Sequence, residues 1–448
     1  MARPVHRLSA VSVALAASMI ASVVAAGPFA PAEAHGRDET PTPTPTPSSP
    51  PSSPPPSSPL SPSPSPTPTP LPSTATPAPP PGDDHLVGSW SAATTRVTTA
   101  VGGQTVRMVV RASLGGSRAR VHLSNVFGFT PVTFTNVHLG VHGSGARVRA
   151  GTNRPVTFGG ETSVTVPAGQ SVWSDPVSGK VAAGQDLVVS VHVPGYVHGV
   201  TGHDRAFATT YMSGPGDHAA EESAKGYTYT SNQWFFLDRV AVGATPATGS
   251  VAVLGDSLTD GTGQANDANR RWTDYLHRRL SAGSRPMRLG ILNAGMAGNR
   301  ILRPTVGPSG IARFERDVLS QPGVRTVVVF EGINDISRGS YGSAKPLIDG
   351  YKKLIAAAHA EDLRIVGATL TPFHGFGSWT RQKEKIRQQV NRWIRTSGAF
   401  DSVVDFDRAV RDPRSPRRLA HAYDDGDHLH MSDAGRRRLA DAVALRVL

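Results

Sequence analysis

From Ser250 to the C-terminus, five short apolar runs alternate with longer stretches of helical period, and this alternation restricts the fold more than any other feature. The strand-like runs are Val251–Leu254, Leu289–Asn293, Thr326–Phe330, Arg364–Thr369 and Ser402–Asp405. The clearest helical patterns are Pro346–Ala360, Arg381–Thr396 and Asp433–Val447. Strands separated by helices form parallel sheets with helices on both faces. We therefore predict a doubly wound α/β fold, and five strands fit the flavodoxin-like order 2-1-3-4-5.

Polar residues follow three of these strands, at the sheet edge where open α/β folds bind their ligands. Gly255-Asp256-Ser257 breaks the first strand and leaves a hydroxyl at its carboxyl end. The segment Asn293–Arg300 follows the second strand, and Glu331–Asp335 follows the third. A fourth polar segment, Asp424–Gly435, lies near the C-terminus. The serine is a candidate nucleophile if a base and an oxyanion site accompany it.

In this order the four segments resemble the four signature blocks of the SGNH (GDSL) hydrolase superfamily, over roughly residues 250 to 448. The four residues that name the family fall on Ser257, Gly298, Asn334 and His430. The resemblance implies that Ser257 is the nucleophile, His430 the base and Asp427 the carboxylate that orients the base. It assigns the oxyanion hole to the amides of Ser257 and Gly298 and the side chain of Asn334. Acyl transfer needs these groups, and the family implies no metal or organic cofactor.

The C-terminal segment contains two Asp-x-x-His spacings, Asp425–His428 and Asp427–His430. Ser432 is typical of a helix N-cap. In the family the catalytic histidine precedes this helix start by two residues, which favours His430 over His428. On this interpretation His428 is a solvated loop residue or a contact at the rim of the site.

The same residues also have plainer interpretations. Asp256 is typical of a turn, and Asn334-Asp335 is compatible with a helix-capping pair. The imidazoles and carboxylates near the C-terminus are also plausible metal ligands, although the spacing matches no zinc signature and the chain has no cysteine. That cluster consists of Asp424, Asp425, Asp427, His428 and His430. The chain has no Gly-x-Ser-x-Gly elbow, which argues against an α/β-hydrolase.

Residues 86–245 are predicted to form an all-β domain, with residues 246–448 as the catalytic domain. Thr105–Arg111, Ala119–Ser124 and Leu187–Val193 are strand-like, and Gly- and Pro-rich turns separate such runs. This pattern is typical of a sandwich or jelly roll. The half also resembles the β-domain of one actinobacterial branch of the family, which includes acetylxylan-esterase-like proteins. Four aromatic residues are candidates for sugar stacking or for the core, namely Trp90, Trp173, Tyr196 and Trp234.

Residues 1–34 have the pattern of a secretory signal peptide. A basic start is followed by the apolar run Leu8–Ala26 and by a small-residue cleavage site at Ala32–Ala34. Cleavage after Ala26 is an alternative, and so is an uncleaved anchor, because the run approaches the ~20 residues that span a bilayer. Residues 35–85 form a linker rich in Pro, Ser and Thr, which buries no core. We predict a secreted protein, with the linker spacing the folded part from a cell wall or membrane.

The formal net charge is +12, which favours attraction to an anionic cell-wall or polysaccharide surface. Aromatic residues are few and do not interleave with the late arginines, which argues against nucleic-acid binding. We predict a secreted serine ester hydrolase that deacetylates acylated carbohydrate. A lipid acylhydrolase is the alternative within enzymes, and a wall-associated carbohydrate-binding protein is the alternative of another class. The sequence leaves the oligomeric state open.

Overall fold

A computed structural model describes residues 85–245, 248–282 and 287–448. The predicted signal peptide lies outside the described residues, and so does the predicted linker except for its last residue. The described residues all belong to one unit of tertiary contacts. In the three described ranges, no helix has both the length and the apolar character needed to cross a membrane.

Strands dominate the part of the chain before residue 245, as predicted. They are β1 (Leu86–Ser91), β2 (Thr95–Val97), β3 (Gln104–Arg111), β4 (Gly116–Ser124), β5 (Val132–Val141), β6 (Arg154–Val156), β7 (Ser163–Val166), β8 (Ser171–Trp173), β9 (Val177–Val181), β10 (Asp186–Val193), β11 (Val200–His203), β12 (Thr210–Pro215), β13 (Tyr227–Ser231), β14 (Trp234–Phe235) and β15 (Leu237–Gly243). The first sheet has the order β1-β15-β4-β8, and β9 also pairs with β4. The second has the order β13-β12-β3-β10-β5-β6, and β7 also pairs with β5. A small third sheet has the order β14-β11-β2.

The turn between β3 and β4 crosses from one sheet to another, because β3 lies in the second sheet and β4 in the first. Inward-facing residues of both strands, such as Met108 and Val121, share one hydrophobic core. That core also contains Trp90 and Trp234, whose rings meet edge to face with centroids 4.8 Å apart. These two tryptophans are therefore packing residues, whereas Tyr196 is 69% exposed. The jelly-roll connectivity of this part stays a prediction.

The second part alternates strands and helices as predicted. Its elements are β16 (Gly249–Gly255), α1 (Ser257–Asp260), α2 (Trp272–Ser281), β17 (Leu289–Gly295), α3 (Gly310–Phe314), β18 (Val324–Phe330), α4 (Ile333–Arg338), α5 (Lys345–Ala360), β19 (Arg364–Ala368), α6 (Arg381–Thr396), β20 (Ser402–Val404), α7 (Phe406–Val410) and α8 (Asp433–Ala442). A π-helical turn, Glu315–Leu319, extends α3, and 3-10 turns cover His421–Tyr423 and Leu445–Val447. The strands are parallel, in the order β17-β16-β18-β19-β20. This is the predicted order 2-1-3-4-5.

The last helix ends earlier than predicted. The pattern indicated helix to Val447, but α8 ends at Ala442 and Val443 adopts an extended conformation. The β-branched side chain of Val443 is buried there, and such side chains fit extended backbone better than a helix. The start of α8 is as expected, because Ser432 is its N-cap and accepts a hydrogen bond from the Gly435 amide at 3.2 Å.

The two parts contact each other closely where β1 meets β17. A Cβ atom added to Gly290 would lie 2.0 Å from the Gly88 carbonyl oxygen, so only glycine admits this approach. Beside it, the Ile291 amide donates to the Ser113 hydroxyl at 2.8 Å. The Gly88 amide donates to the Pro322 carbonyl at 2.8 Å. The β-rich part is therefore attached to the parallel sheet through backbone and side-chain hydrogen bonds.

Candidate active site

The candidate site begins at the sharp turn that ends β16. Asp256 is the N-cap of the four-residue helix α1, and its carboxylate accepts a hydrogen bond from the Leu258 amide at 3.0 Å. The prediction that Asp256 forms a turn is confirmed. Ser257 is the first residue of α1 and is 7% exposed. An amide at this position has no acceptor within its helix, so the Ser257 N–H can bind an oxygen of a ligand.

The structure brings Ser257, His430 and Asp427 together in one chain of hydrogen bonds. The Ser257 Oγ lies 2.9 Å from His430 Nε2. The His430 Nδ1 lies 2.5 Å from Asp427 Oδ2. The other Asp427 oxygen accepts from the backbone amides of Leu429 at 2.9 Å and His430 at 2.8 Å. These two amides hold the carboxylate in position, so that Asp427 can orient the imidazole.

Hydrogen bonding determines the charge state of Asp427. Partial burial alone would raise the pKa of its carboxyl, but the hydrogen bonds from the His430 amide, the His430 ring and the Leu429 amide outweigh burial and lower the pKa. Asp427 therefore remains a carboxylate at neutral pH and accepts a hydrogen bond from His430 Nδ1. This leaves His430 Nε2 as the acceptor for the Ser257 hydroxyl.

His428 takes part in a separate pair. Its Nδ1 lies 2.6 Å from Asp424 Oδ2, and its amide donates to Asp424 Oδ1 at 3.0 Å. The ring lies against Gly375, where an added Cβ would lie 2.6 Å from His428 Cδ2. His428 does not line the cavity at Ser257, whereas His430 does. Of the two histidines, His430 is the one within hydrogen-bond distance of the serine.

Gly298 lies in a tight turn after β17, which the Asn299 amide closes by donating to the Met296 carbonyl at 3.0 Å. Its φ is +79°, a conformation that favours glycine. Gly298 lines the same cavity as Ser257 and His430. Asn334 is 3% exposed and is not in the cavity wall, but its Nδ2 donates to the Asn299 carbonyl at 3.1 Å. One N–H of this amide therefore fixes the side chain behind the turn, and the second remains for a further acceptor.

Asn334 and Asp335 do not cap a helix, so that interpretation is wrong. The N-cap of α4 is Gly332, and both residues lie inside the first turn. The Asp335 carboxylate instead accepts from the amides of Ile301 at 2.8 Å and Leu302 at 3.0 Å. It thus attaches the start of α4 to the loop that follows Gly298.

Beneath the site, Arg313 joins the ends of three strands, and the sequence contained no signal for this role. Its fully buried guanidinium donates to the carbonyls of Gly255 at 2.9 Å and Ala294 at 2.7 Å. It also donates to Glu331 at 3.1 Å and to the Asn299 side chain at 2.9 Å. These contacts fix the carboxyl ends of β16, β17 and β18 relative to one another.

Several buried acids lie beneath the site, close enough for their charges to interact. Burial raises the pKa of Glu331 to about 7, although Arg313 opposes the shift. Burial also raises the pKa of Asp335 to about 6, although the hydrogen bonds from the Ile301 and Leu302 amides lower it. Burial, with the nearby Glu331 charge, raises the pKa of Asp256 well above its usual value. The acids beneath the site therefore hold protons more tightly than exposed carboxyls, whereas Asp427 is ionised.

The cavity at Ser257 has a volume of about 260 Å³. Both parts of the chain line it. The β-rich part contributes Ala93, Thr95, His203, Asp204 and Arg205. The α/β part contributes Ser257, Asp260, Thr262, Met296, Ala297, Gly298, Val306, Arg338 and His430. The contribution from the β-rich part was not predicted, because the sequence does not show which strand ends meet the sheet.

The metal interpretation finds no support in the part of the chain that the structure describes. Within residues 85–245, 248–282 and 287–448, no three His, Asp or Glu side chains are arranged to hold an ion. Asp424 and Asp427 each bind one histidine instead.

A serine hydroxyl bonded to an imidazole, which is itself bonded to a carboxylate, at the carboxyl edge of a parallel sheet is the arrangement of a serine hydrolase. Residues 253–438 match the GDSL-like Lipase/Acylhydrolase family. The chain therefore contains an SGNH (GDSL) hydrolase domain, and it is an ester hydrolase. No curated protein matches the sequence.

Solved structures of low identity are also similar to this chain. An aryl esterase of M. smegmatis is 16% identical over 44% of this chain and 98% of its own, with a TM-score of 0.37. A GDSL-like lipase of Bacteroides thetaiotaomicron is 16% identical over 44% of this chain and 87% of its own, with a TM-score of 0.35. A carbohydrate acetylesterase family member of Sinorhizobium meliloti is 16% identical over 43% of this chain and 94% of its own, with a TM-score of 0.35.

Proposed function

We propose that this protein is a secreted serine carboxylic-ester hydrolase that removes short acyl groups from carbohydrate. Ser257 acts as the nucleophile, His430 as the general base and Asp427 as the carboxylate that orients the base. The observation that carries the assignment is the hydrogen-bonded chain from Ser257 Oγ to His430 Nε2 at 2.9 Å and from His430 Nδ1 to Asp427 at 2.5 Å.

The reaction takes place in two acyl transfers. Ser257 Oγ attacks the ester carbonyl carbon while His430 Nε2 accepts the hydroxyl proton. The tetrahedral intermediate then breaks its bond to the alcohol oxygen, which leaves with the proton from His430. Water attacks the acyl-enzyme in the same way, with His430 taking its proton and returning it to Ser257 Oγ. Asp427 stays ionised throughout and stabilises the imidazolium.

The negative charge on the carbonyl oxygen needs donors that are already in place. We assign this role to the amides of Ser257 and Gly298 and to the Asn334 side chain. The free first-turn amide of α1, the positive φ of Gly298 and the second N–H of Asn334 support the assignment. The hydrogen bond from Asn334 to Asn299 links two of the three donor segments.

The size and chemistry of the cavity support a short acyl group on a polar alcohol. Its volume of about 260 Å³ is below the roughly 300–1,000 Å³ of typical ligand pockets. The wall includes the polar side chains of Thr95, Thr262, Asp204 and Arg205, which suit the hydroxyl groups of a sugar. The resemblance to the acetylxylan-esterase-like branch supports the same substrate class. Export is supported by the N-terminal sequence pattern of residues 1–34.

A series of p-nitrophenyl esters, assayed beside acetylated xylan, tests the substrate class. We expect kcat/KM to be highest for acetate or butyrate and to fall steadily toward palmitate, with acetate released from the xylan. Met296 lines the cavity and is 3% exposed, so Met296→Ala should shift the preference toward longer chains. Met212→Ala, a core change outside the cavity wall, is the matched control. A maximum at palmitate would favour the lipid acylhydrolase.

Asn334→Ala tests the oxyanion hole. Because a donor to the oxyanion acts in the transition state, kcat should fall by about 10²–10³-fold with little change in KM. The variant also leaves the Asn299 carbonyl without its donor, which should cost about 1 kcal/mol of stability.

Asn391→Ala is the matched control for this prediction. Asn391 is fully buried and binds the backbone of Leu370 through both its oxygen and its nitrogen, at 2.8 Å each. Its loss should lower the melting temperature at least as much while kcat stays normal. An Asn334→Ala variant that melts early and turns over at the wild-type rate would make Asn334 a structural residue.

A further inference from the structure

A buried histidine of the β-rich part lies directly behind the candidate oxyanion loop. His203 ends β11 and is 4% exposed. Its Nδ1 lies 2.7 Å from the Ala93 carbonyl oxygen. Its Nε2 lies 2.9 Å from Asp260 Oδ1 and 3.2 Å from the Arg205 carbonyl oxygen. Both ring nitrogens therefore face oxygens that accept hydrogen bonds.

This geometry determines the protonation state of His203. A neutral imidazole has one donor nitrogen and one acceptor nitrogen, and only the imidazolium donates from both. Since a backbone carbonyl cannot donate, Nδ1 carries a proton toward Ala93. Nε2 faces the Asp260 side chain and the Arg205 carbonyl, and these contacts favour the imidazolium form of His203.

Asp260 transmits this contact to the oxyanion loop. It is the last residue of α1, the helix that begins at Ser257. Its second oxygen accepts from the Ala297 amide at 3.0 Å, and Ala297 directly precedes Gly298. The loop and the helix are also in close contact, because a Cβ added to Gly295 would lie 2.4 Å from the Asp260 amide nitrogen. A continuous chain of bonds therefore runs from Ala93 through His203 and Asp260 to the loop.

We propose that His203 is a positioning residue for ester hydrolysis, which holds Asp260 and thereby keeps the Gly298 amide directed at the oxyanion. The proposal rests on the function proposed above. It makes the β-rich part a component of the active site, because the ring of His203 and the carbonyls of Ala93 and Arg205 all belong to that part. His203 itself lines the cavity with Ser257 and His430.

The charges that face His203 determine how the arrangement responds to pH. Burial lowers the pKa of the His203 ring, and the charge of Arg271 lowers it further. The Asp260 carboxylate and the hydrogen bonds to Asp260 and Ala93 outweigh both effects, so the pKa is raised overall. The adjacent Asp204 and Arg205 are exposed, and Asp204 binds the Gln233 side chain at 2.6 Å. Because the pKa of His203 is raised in the folded protein, the imidazolium that donates to Asp260 is present below that pKa and is lost as pH rises through it. We therefore expect kcat to fall on the alkaline side.

His203→Gln tests the proposal, with His122→Gln as the matched control. His122 forms a buried pair with Asp238 inside the β-rich part, with its Nδ1 2.5 Å from the Asp238 carboxylate, and it does not line the cavity. His203→Gln should lower kcat by about ten-fold or more. The loss should be smaller than the ~10²–10³-fold that we expect when a hydrogen-bond donor of the oxyanion hole is removed. KM should change little. His122→Gln should lower the melting temperature comparably and leave kcat unchanged.

A transition-state analogue separates positioning from general stability. A trifluoromethyl ketone forms a tetrahedral adduct with the serine, and its oxyanion occupies the oxyanion hole. Its Ki should rise in His203→Gln by the same factor by which kcat/KM falls, and the alkaline limb of the kcat profile should be lost. Asp260→Asn, which keeps the side-chain size, should show the same losses, and the double variant should be little worse than either single variant.

Each result decides the proposal. Wild-type kcat in His203→Gln, or an equal loss of kcat in His122→Gln, would overturn it. If His203→Gln does not fold, the same test is made with the Asp260→Asn variant and with the pH profile of the wild type. A normal kcat in Asp260→Asn, together with a wild-type kcat that does not fall at alkaline pH, would count against the proposal. A wild-type protein with no esterase activity, or a Ser257→Ala variant that retains activity, would instead reject the proposed function.

Discussion

Ser257→Ala is expected to lower the rate of ester hydrolysis by at least about 10⁴-fold, because loss of a triad member leaves only binding and the oxyanion donors. The fold should remain intact. The Ser257 Oγ has one hydrogen-bond partner, His430, at 2.9 Å among the described residues, and alanine is compatible with the first turn of α1. We therefore expect a melting temperature close to that of the wild type.

Ser250→Ala is the matched control for this variant. Ser250 lies at the opposite end of β16, is fully buried and donates to the Pro322 carbonyl at 3.1 Å. It should lose some stability and keep its activity. A fluorophosphonate probe followed by peptide mass spectrometry should label the wild type at Ser257 and the Ser250→Ala variant equally. More than a few per cent of activity in Ser257→Ala would remove Ser257 from the mechanism.

Local periodicity predicted the catalytic part of the fold well. The five strands and the helices α5 and α6 lie within a few residues of their predicted bounds, because each element shows its buried face in its own sequence. The strand order was predicted from the flavodoxin-like pattern that the resembled family uses, and the structure has that order. The motifs at the ends of β16, β17 and β18 could then be placed at one edge of the sheet.

Contacts between distant segments could not be predicted in this way. The sequence shows that β3 and β4 are strands, but not that they belong to different sheets. Trp90 and Trp234 had two interpretations until their packing in the core was known. Arg313 and His203 carry no local pattern, because most of their partners lie between 14 and 110 residues away in sequence. The positioning groups of this site were therefore found only in three dimensions.

The sequence alone offers two neighbouring histidines as the base, because both have an aspartate three residues before them. In the structure the two imidazole rings contact different residues. His428 has a positive φ of 68°, and its ring lies against Gly375 and Asp424. His430 instead has its Nε2 at 2.9 Å from the Ser257 Oγ. The two Asp–His pairs of this segment therefore have different surroundings, and only the Asp427–His430 pair reaches Ser257.

His430→Ala and His428→Ala turn this difference into a prediction. His430→Ala should lose at least about 10⁴-fold in kcat, as Ser257→Ala does. The double variant of Ser257 and His430 should be no worse than either single variant, because residues that act as a unit are not additive. His428→Ala should keep most of its kcat and lose only stability. The His428 ring is hydrogen-bonded to Asp424, and the His428 side chain is 43% exposed.

Rescue by added imidazole tests directly whether His430 is the general base. The His430→Ala variant leaves space beside Ser257 at the wall of a cavity of about 260 Å³, where a free imidazole can accept the serine proton. Imidazole should therefore restore part of the activity of His430→Ala and none of that of Ser257→Ala, since the latter has no nucleophile to activate. An inactive His428→Ala variant beside an active His430→Ala variant would reverse the assignment and make the Asp424–His428 pair the base.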